Sequence, residues 1–317
     1  MKLSIIIPVF NVEQYVKKCL LSVTTQDISR DNCEIIVVND GSTDNSLALA
    51  EQIAADQNNM TVVSQENRGL SAARNRGLSL AKGDYVWFVD SDDWIGEDCL
   101  RKIIPLLNEN IDCLTFKYNE YIDTARNRVM GLPFKGCQSG IELMRMYKIS
   151  TPVPFTIFRK SLFSNHNLSF HEGIYHEDSE LVPKLYYYAQ TSVFLDEVCY
   201  YYFQREGSIM SSFSLKKALD ILLVNENLIS FAGNMIENKS ERSIFYYRIG
   251  LNVNTLLSRL NQLSENEWKQ ISSILLKKRD MFVTMIRSRK IKYKWEGLSF
   301  LLAPKATLLF YRNYLSK

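Results

Sequence analysis

Three carboxylates follow directly on an apolar run in the stretch YVWFVDSDDW, residues 85–94. The run has the β-branched and aromatic content of a buried strand, and Asp90, Asp92 and Asp93 stand at its end. Clustered carboxylates repel one another and are costly to bury, so they need a reason to occupy such a position. One reason is a divalent cation, because Mg²⁺ and Mn²⁺ bind with one or two carboxylates plus substrate phosphates. The other is a solvated acidic turn before the next helix, and this stretch alone favours neither.

Alternating strands and helices position these carboxylates. Apolar runs predict strands at Leu3–Val9, Glu34–Val38, Thr61–Ser64 and Tyr85–Val89. A helical pattern follows each of the first three strands, which predicts a mostly parallel sheet with helices on both faces. In such sheets ligands bind beyond the carboxyl ends of the strands. We therefore expect three polar turns to converge on one crevice: Phe10-Asn11, Asp40-Gly41-Ser42 and Asp90–Asp93.

Asn11 has a second predicted role, as the cap of the first helix. Asn is a favoured N-cap residue, and Gln14 stands at the capping-box position three residues later. The next helices are predicted to begin after Asp44 and at Ser71, with Gly83 closing the latter.

The alternation loosens beyond Trp94. Helices are predicted at Asp98–Leu107, Gly140–Tyr147 and from His176 to about Ala189, and strands at Ile111–Tyr118, Val193–Leu195 and Val198–Phe203. The segment Thr156–Phe163 receives no assignment. From Leu215 onward the pattern is helical, with breaks at Asn234–Ser240 and Gln262–Glu265. The predicted organisation is therefore an α/β domain over residues 1–212 and a helical region over residues 213–317.

Composition excludes several classes of protein. The 317 residues are sufficient for one large domain or two modest ones, and the net charge of +3 predicts no nucleic-acid partner. The six cysteines show neither paired nor metal-binding spacing, which is typical of reduced thiols in the cytoplasm. We expect neither a signal peptide nor a membrane-spanning helix. A glycine-rich phosphate loop is missing after the first strand, and so is a GxGxxG motif, which disfavours nucleotidyltransferases and dinucleotide dehydrogenases.

Residues 287–317 are basic, with eight lysines and arginines against Glu296 alone. Apolar residues interleave with them, but Pro304 interrupts the run and each piece is too short to span a bilayer. Such a stretch lies in an anionic membrane surface or packs as a terminal helix on its own domain. Both alternatives stay open, so the predicted location is the cytoplasm, with attachment to the inner face of the cell membrane as a variant.

Five ordered motifs resemble those of the inverting, nucleotide-sugar-dependent glycosyltransferases of family 2, which have the GT-A fold. They are SIIIPVFNVE, EIIVVNDGSTDNS, ENRGLSAARNRGL, GDYVWFVDSDD and HEDSEL, and they span about Leu3–Ser208, two thirds of the chain. The resemblance implies a Rossmann-like GT-A domain that transfers a hexose or N-acetylhexosamine from a UDP-sugar to a hydroxyl with inversion, using Mn²⁺ or Mg²⁺. It also implies a lipid-linked or oligosaccharide acceptor and a role in making capsule, exopolysaccharide or lipopolysaccharide.

The resemblance assigns the donor-side residues. Asp40 would contact the uracil ring N–H, although a turn-forming Asp explains the residue type as well. Asp92 would bind the metal directly, with Asp90 on the ribose or a coordinated water and Asp93 as a substitute ligand. Arginine forks suit a diphosphate, but a solvated helix face is an equal explanation for Arg74. The implied nucleotide-binding set is Pro8, Phe10, Asn11, Asp40, Arg68, Arg74, Asp90, Ser91 and Arg205.

The same resemblance places the acid–base chemistry in the HEDSEL motif. Asp178 would be the general base and Glu177 would orient the acceptor, with His176 on the acceptor side. Acidic residues placed for a helix dipole are the alternative. The sequence departs from the family at Tyr202-Phe203, where many relatives have a Tyr-Arg pair, and this leaves Arg205 as the candidate cation there. A nucleotidyltransferase and a non-catalytic sugar-nucleotide or glycan-binding protein remain the alternative functions.

Overall fold

Strand β1 (Leu3–Val9) lies inside a parallel group of four strands. All seven of its residues are buried, as expected for a strand with helices on both faces of its sheet. It pairs with β2 (Cys33–Asp40) on one side and β4 (Tyr85–Phe88) on the other, and β3 (Met60–Gln65) pairs with β2. The polar residues after β1, β2 and β4 therefore leave the sheet along one edge.

The structure is a computed structural model that describes residues 1–123, 125–147, 152–204 and 212–314. The chain divides into two units. The first comprises Met1–Gly173 and Leu181–Glu206, and the second comprises Ile174–Glu180 and Gly207–Lys317.

Helices α1 (Val16–Thr24), α2 (Ser46–Ala54) and α3 (Leu70–Leu80) connect the parallel strands, so the predicted alternation is confirmed. The predicted cap of the first helix is wrong. Residue Tyr15 precedes α1, while Asn11 has a φ of 50° and its side chain accepts a hydrogen bond from the next loop. This hydrogen bond to the next loop occupies the Asn11 side-chain oxygen, which is the atom that would have to cap the helix.

The second half of the sheet is mixed. Its strands are β5 (Trp94–Ile95), β6 (Cys113–Tyr121), β7 (Asn127–Met130), β8 (Thr156–Arg159) and β9 (Ser192–Phe203). Within the described residues the strand order of the whole sheet is β3-β2-β1-β4-β8-β6-β9-β5, and β7 pairs with β6. Strand β8 is antiparallel to β4 and β6, whereas β9 is parallel to β6. The strands predicted at Val193–Leu195 and Val198–Phe203 form one continuous strand, β9. The register of its pairing with β6 is irregular.

The helices between residues 99 and 188 are short, except for the last, which has twelve residues. They are α4 (Cys99–Ile103), α5 (Gly140–Met146), α6 (Ser161–Asn165) and α7 (Glu177–Tyr188). The helix predicted over Asp98–Leu107 tightens into a 3₁₀ turn at Ile104–Leu106. The reason is Pro105, which has no backbone N–H for a helical bond. The segment without a predicted assignment, Thr156–Phe163, contains β8 and the beginning of α6.

Six helices are described in the second unit: α8 (Leu215–Met235), α9 (Lys239–Ser258), α10 (Glu265–Lys277), α11 (Arg279–Ile286), α12 (Ile291–Leu302) and α13 (Pro304–Tyr314). Both predicted breaks fall between helices. Helix α12 packs closely on its neighbours: a Cβ on Gly250 would lie 2.6 Å from the Tyr293 ring, and one on Gly297 would lie 2.6 Å from the carbonyl oxygen of Phe282. Across the described part of the chain, every helix is too short or too polar to traverse a bilayer.

Candidate active site

The loops after β1 and β2 are joined by reciprocal hydrogen bonds. The Asn11 side-chain oxygen accepts from the backbone N–H of Thr43 at 2.8 Å. The Glu13 N–H donates to Asp44 at 3.0 Å, and the Glu13 carboxylate accepts from the Asn45 N–H at 3.0 Å. Each loop thus satisfies backbone donors of the other, which fixes this part of the predicted crevice.

Two predicted nucleotide-binding residues, Pro8 and Phe10, come just before Asn11 in the chain. Pro8 is buried in β1, one residue before the strand ends. Phe10 follows the strand and its residue surface is 45% exposed. An exposed aromatic ring beside a fixed polar loop offers a face on which a planar base can stack.

Asp40 ends β2 and is buried, and its carboxylate holds the loop before α3. One oxygen accepts from the Gln65 amide at 2.8 Å and the Arg68 N–H at 2.9 Å, and the other accepts from the Gly69 N–H at 2.7 Å. A carboxylate has about four acceptor positions, so these bonds leave room for one more donor. Asp40 therefore has a structural role whether or not it also contacts a base.

Arg74 is buried and pairs with Asp90. Its guanidinium lies 2.8 Å from the Asp90 carboxylate, with the Arg74 side chain 2% exposed and that of Asp90 28% exposed. The guanidinium also lies 5.3 Å from the centre of the Phe170 ring, within range of a cation–π contact. The arrangement orients Asp90 at the end of β4, while a diphosphate contact by Arg74 stays a prediction.

Asp93 faces inward. The Tyr200 hydroxyl donates to one of its oxygens at 2.6 Å and the Phe203 N–H to the other at 2.7 Å. The same hydroxyl accepts from the Asp90 N–H at 3.1 Å, so β9 holds the turn at its first and last carboxylate residues. Burial, followed by the negative charges of Asp90 and Asp92, raises the pKa of Asp93 well above its ordinary value. These bonds favour Asp92 over Asp93 as the residue that meets a ligand.

The turn suits a hard cation by its chemistry. Asp90 and Asp92 are partly exposed carboxylates around the buried Ser91, and they are close enough to raise the pKa of Asp93. In the described residues no three acidic, histidine or cysteine side chains form a metal cage. A cation here would take one or two protein carboxylates and complete its shell with phosphate and water, as Mg²⁺ commonly does.

Arg68 lies on the surface, in the loop before α3 that the Asp40 carboxylate holds. Its side chain is 65% exposed and pairs with Glu172 at 2.8 Å. Glu172 also accepts from the Asn75 amide at 3.2 Å, and Asn75 exchanges two further bonds of 2.9 Å with the backbone of Phe170. The exposed pair is weak, so Arg68 can exchange Glu172 for another anion at little cost.

The first five residues of the HEDSEL motif, His176–Glu180, belong to the second unit, on the segment Ile174–Glu180. Helix α8 holds this segment at both ends: Asp220 accepts from the Tyr175 N–H at 2.9 Å, and the Asn227 amide donates to Glu180 at 2.9 Å. Glu177 and Asp178 lie between these two anchors and begin α7. The anchors fix the start of the helix that carries the proposed base.

His176 precedes that helix in a left-handed conformation, with a φ of 66°. Such a conformation is uncommon for a residue with a side chain. Burial, with the charges of Arg259 and Lys217, lowers the pKa of His176, and Asp220 opposes this shift. The imidazole is therefore neutral at neutral pH.

The sequence predicted the polar turns but missed the residues that hold them. Tyr200 lies in a tyrosine cluster whose spacing is typical of packing, and Glu172 and Asp220 belong to no motif. Their partners are distant in the chain, so no local pattern identifies them. The remaining predicted residue, Arg205, lies outside the described residues.

Comparison with known proteins identifies the fold and family. The sequence profile described as Glycosyl transferase family 2 matches residues 4–166. Glycosyltransferase GlyA of Streptococcus pneumoniae is 30% identical over 277 residues, which are 83% of this chain and 39% of that protein. Putative glycosyltransferase EpsH of Bacillus subtilis is 28% identical over 290 residues, or 85% of this chain and 78% of that protein.

TarS of Staphylococcus aureus, a poly(ribitol-phosphate) beta-N-acetylglucosaminyltransferase, is similar in sequence and structure. The sequences are 32% identical over 216 residues, so this chain spans about two fifths of TarS, as it does of GlyA. The crystal structure of TarS residues 1–349 in complex with UDP-GlcNAc aligns with a TM-score of 0.76 at 22% identity, covering 99% of this chain and 90% of that one. The likeness confirms the predicted fold: a GT-A domain followed by a helical region.

Proposed function

This chain belongs to glycosyl transferase family 2, and from that premise we propose that it transfers a sugar from a UDP-sugar to an acceptor hydroxyl with inversion. The observation that carries the proposal is the turn after β4. There a buried arginine orients Asp90, β9 holds Asp93, and Asp92 remains partly exposed between them. Relatives named as glycosyltransferases and the UDP and UDP-GlcNAc complexes of TarS support it.

The donor would bind along the edge formed by the loops after β1, β2 and β4. Phe10 offers a stacking face, and the remaining acceptor position of Asp40 suits the ring N–H of uracil. Asp92 would hold Mn²⁺ or Mg²⁺, with Asp90 on the ribose or a coordinated water. The cation would offset the charge of the departing diphosphate. Arg68 would add a fork for the diphosphate by leaving Glu172.

Asp178 would be the general base. Inversion needs one base that takes the proton of the acceptor hydroxyl as the new bond forms on the face opposite the leaving group. Glu177 would orient the acceptor, and the neutral His176 would contact it without adding charge.

The acceptor would be a lipid-linked or oligosaccharide intermediate of a bacterial surface polysaccharide. This assignment follows the relatives, among them two named for poly(ribitol-phosphate). The corresponding location would be the cytoplasm.

Two substitutions separate transfer from donor binding. Asp178→Asn preserves side-chain shape but removes the base, so turnover should fall by about 10²–10⁴-fold while UDP affinity stays near that of the parent. Asp92→Ala should instead abolish Mn²⁺-dependent UDP binding, because the cation loses its ligand. Glu177→Gln is the matched control, with a smaller loss of rate and a larger loss of acceptor affinity.

Parental turnover in Asp178→Asn with collapse in Glu177→Gln would reverse the two assignments. Equal UDP and Mn²⁺ affinity in parent and Asp92→Ala would transfer the metal role to another carboxylate. If the parent binds UDP-sugars but never turns over, with any acceptor fraction from cell-wall extracts, the chain is a sugar-nucleotide-binding protein instead.

A further inference from the structure

Helix α12 is apolar on two opposite faces. Tyr293, Gly297 and Phe300 are buried against the rest of the second unit. Ile291, Trp295, Leu298 and Leu302 are spaced by four, three and four residues, so they form one stripe on the other side. Ile291 is 71% exposed, Trp295 62% and Leu302 77%. We define these four residues as the outer stripe.

Such a stripe is unusual for a helix at a protein surface, which normally presents polar residues outward. Helix α10 in the same unit follows that rule, since all its exposed positions are polar: Glu265, Asn266, Lys269, Gln270, Ser273 and Lys277. The outer stripe therefore presents apolar surface that gains free energy on being covered.

Lysines border the outer stripe. Lys292 and Lys294 lie on its two flanks, and Lys290 precedes the helix; all three are exposed. Helix α13 extends the same composition, with Leu309 and Phe310 exposed and Lys305 at its start. Glu296, which pairs with Lys292, is the acidic side chain on α12. An apolar centre with a cationic border matches the acyl chains and headgroups of an anionic bilayer.

We propose that the outer stripe binds the surface of an anionic membrane, with α12 lying in the plane of the interface. Trp295 and the leucines would enter the boundary between headgroups and acyl chains, and the lysines would contact the lipid phosphates. A second copy of the chain fits less well, because a two-fold contact through this face would bring its lysine borders together. This inference stands apart from the proposed transfer reaction.

Vesicle co-sedimentation tests the proposal on the full chain. Vesicles of phosphatidylcholine and phosphatidylglycerol at 7:3 should bind it, and pure phosphatidylcholine should bind it at least about tenfold more weakly, because the anionic attraction is missing. Ile291→Ser, Trp295→Ser and Leu302→Ser combined should lower binding at least about tenfold, because the interfacial apolar area is lost. These side chains are exposed, so the fold should persist. Val129→Ser with Met146→Ser, exposed apolar residues of the first unit, is the matched control.

Fluorescence gives an independent readout. Trp295 emission should shift to shorter wavelength when anionic vesicles are added, and Trp295→Phe should remove that shift while leaving sedimentation in place. Absence of binding by the parent chain, or equal binding by the triple Ser variant, would overturn the proposal. A parent that is dimeric by light scattering, with a monomeric triple variant and no vesicle binding, would assign the stripe to a second copy.

Discussion

At the residue scale, the three carboxylates after β4 are distinguished by their surroundings. Asp90 pairs with the buried guanidinium of Arg74, Asp93 is buried against Tyr200 and the backbone of Phe203, and Asp92 between them is partly exposed. The three carboxylates at the end of this apolar run therefore differ in role. Asp90 is oriented by Arg74, Asp93 is structural, and Asp92 is the candidate ligand for a cation. The spacing predicted the cluster, but only the fold separates the roles.

Arg74→Met should weaken both folding and donor binding. Removing one partner of a buried ion pair leaves the other poorly compensated, although the partial exposure of Asp90 softens the loss. We expect the free energy of unfolding to fall by about 1–3 kcal/mol and Mn²⁺-dependent UDP-sugar affinity to fall with it. Urea titration and calorimetry measure the two effects. Arg76→Met, an exposed position on the same helix, is the control, and equal behaviour of both variants would contradict the assigned role.

His176 makes stability depend on pH. Its pKa is lowered in the folded chain, so between that pKa and about 6.5 the unfolded chain binds more protons. The free energy of unfolding should therefore rise as pH increases through this window and lose this contribution on acidification. His176→Asn, which tolerates the left-handed backbone, should flatten the dependence in urea titrations from pH 5 to 8. The exposed His166→Asn should keep the parental slope, and an unchanged slope in His176→Asn would refute the assignment.

At the element scale, α3 does more than connect two strands. Asn75 on this helix bonds both the N–H and the carbonyl of Phe170, whose ring packs on Phe88 at 5.0 Å. The helix thereby holds the segment that precedes the HEDSEL motif.

Asn75→Ala should loosen that segment. Losing two hydrogen bonds to the backbone of Phe170 should raise amide exchange over residues 168–173 and lower the free energy of unfolding by about 1–2 kcal/mol. Arg68→Ala removes only an exposed ion pair, so it should change exchange little. Hydrogen-exchange mass spectrometry of both variants decides, and similar protection in Asn75→Ala and the parent would contradict this role.

Elements with strong local patterns were predictable and elements defined by their partners were not. The first four strands have apolar runs within their own sequence, and they form within two residues of the predicted bounds. Helix α3 also forms, but it ends at Leu80 with an extended residue, Ala81, as its C-cap, so the predicted closure at Gly83 is wrong. Strand β5 has two residues and β7 has four, and both exist because β9 and β6 lie beside them. The same holds for β8, which joins the parallel strands to the mixed half through antiparallel pairing.

At the scale of the whole molecule, the thiols report whether the chain is folded. All six cysteines are free; Cys137 is exposed and the other five are buried. Burial raises the pKa of Cys33 to about 12, and it raises those of Cys19, Cys99 and Cys113 well above the ordinary value.

Native labelling should therefore modify one site quickly. Maleimide at neutral pH should label Cys137 at least about 10²-fold faster than any other cysteine, because thiolate is the reactive form and the others are inaccessible. Mass spectrometry of the labelled peptides gives the rates. Cys137→Ser is the control and should remove the fast phase; a fast phase that persists would show a second open thiol.

The hydrogen bonds from β9 to Asp93 have a consequence for synthesis of the chain. Tyr200 and Phe203 lie 107 and 110 residues beyond Asp93, so the ribosome makes the carboxylate turn well before its partners. At about 5–20 residues per second this delay lasts roughly 5–20 s. Before the delay ends, the nascent chain already contains all of residues 4–166, the part that carries the family signature, with the turn still hydrated. The turn would become ordered only when β9 emerges and pairs with β6, which makes this edge of the sheet one of the last parts of its unit to mature.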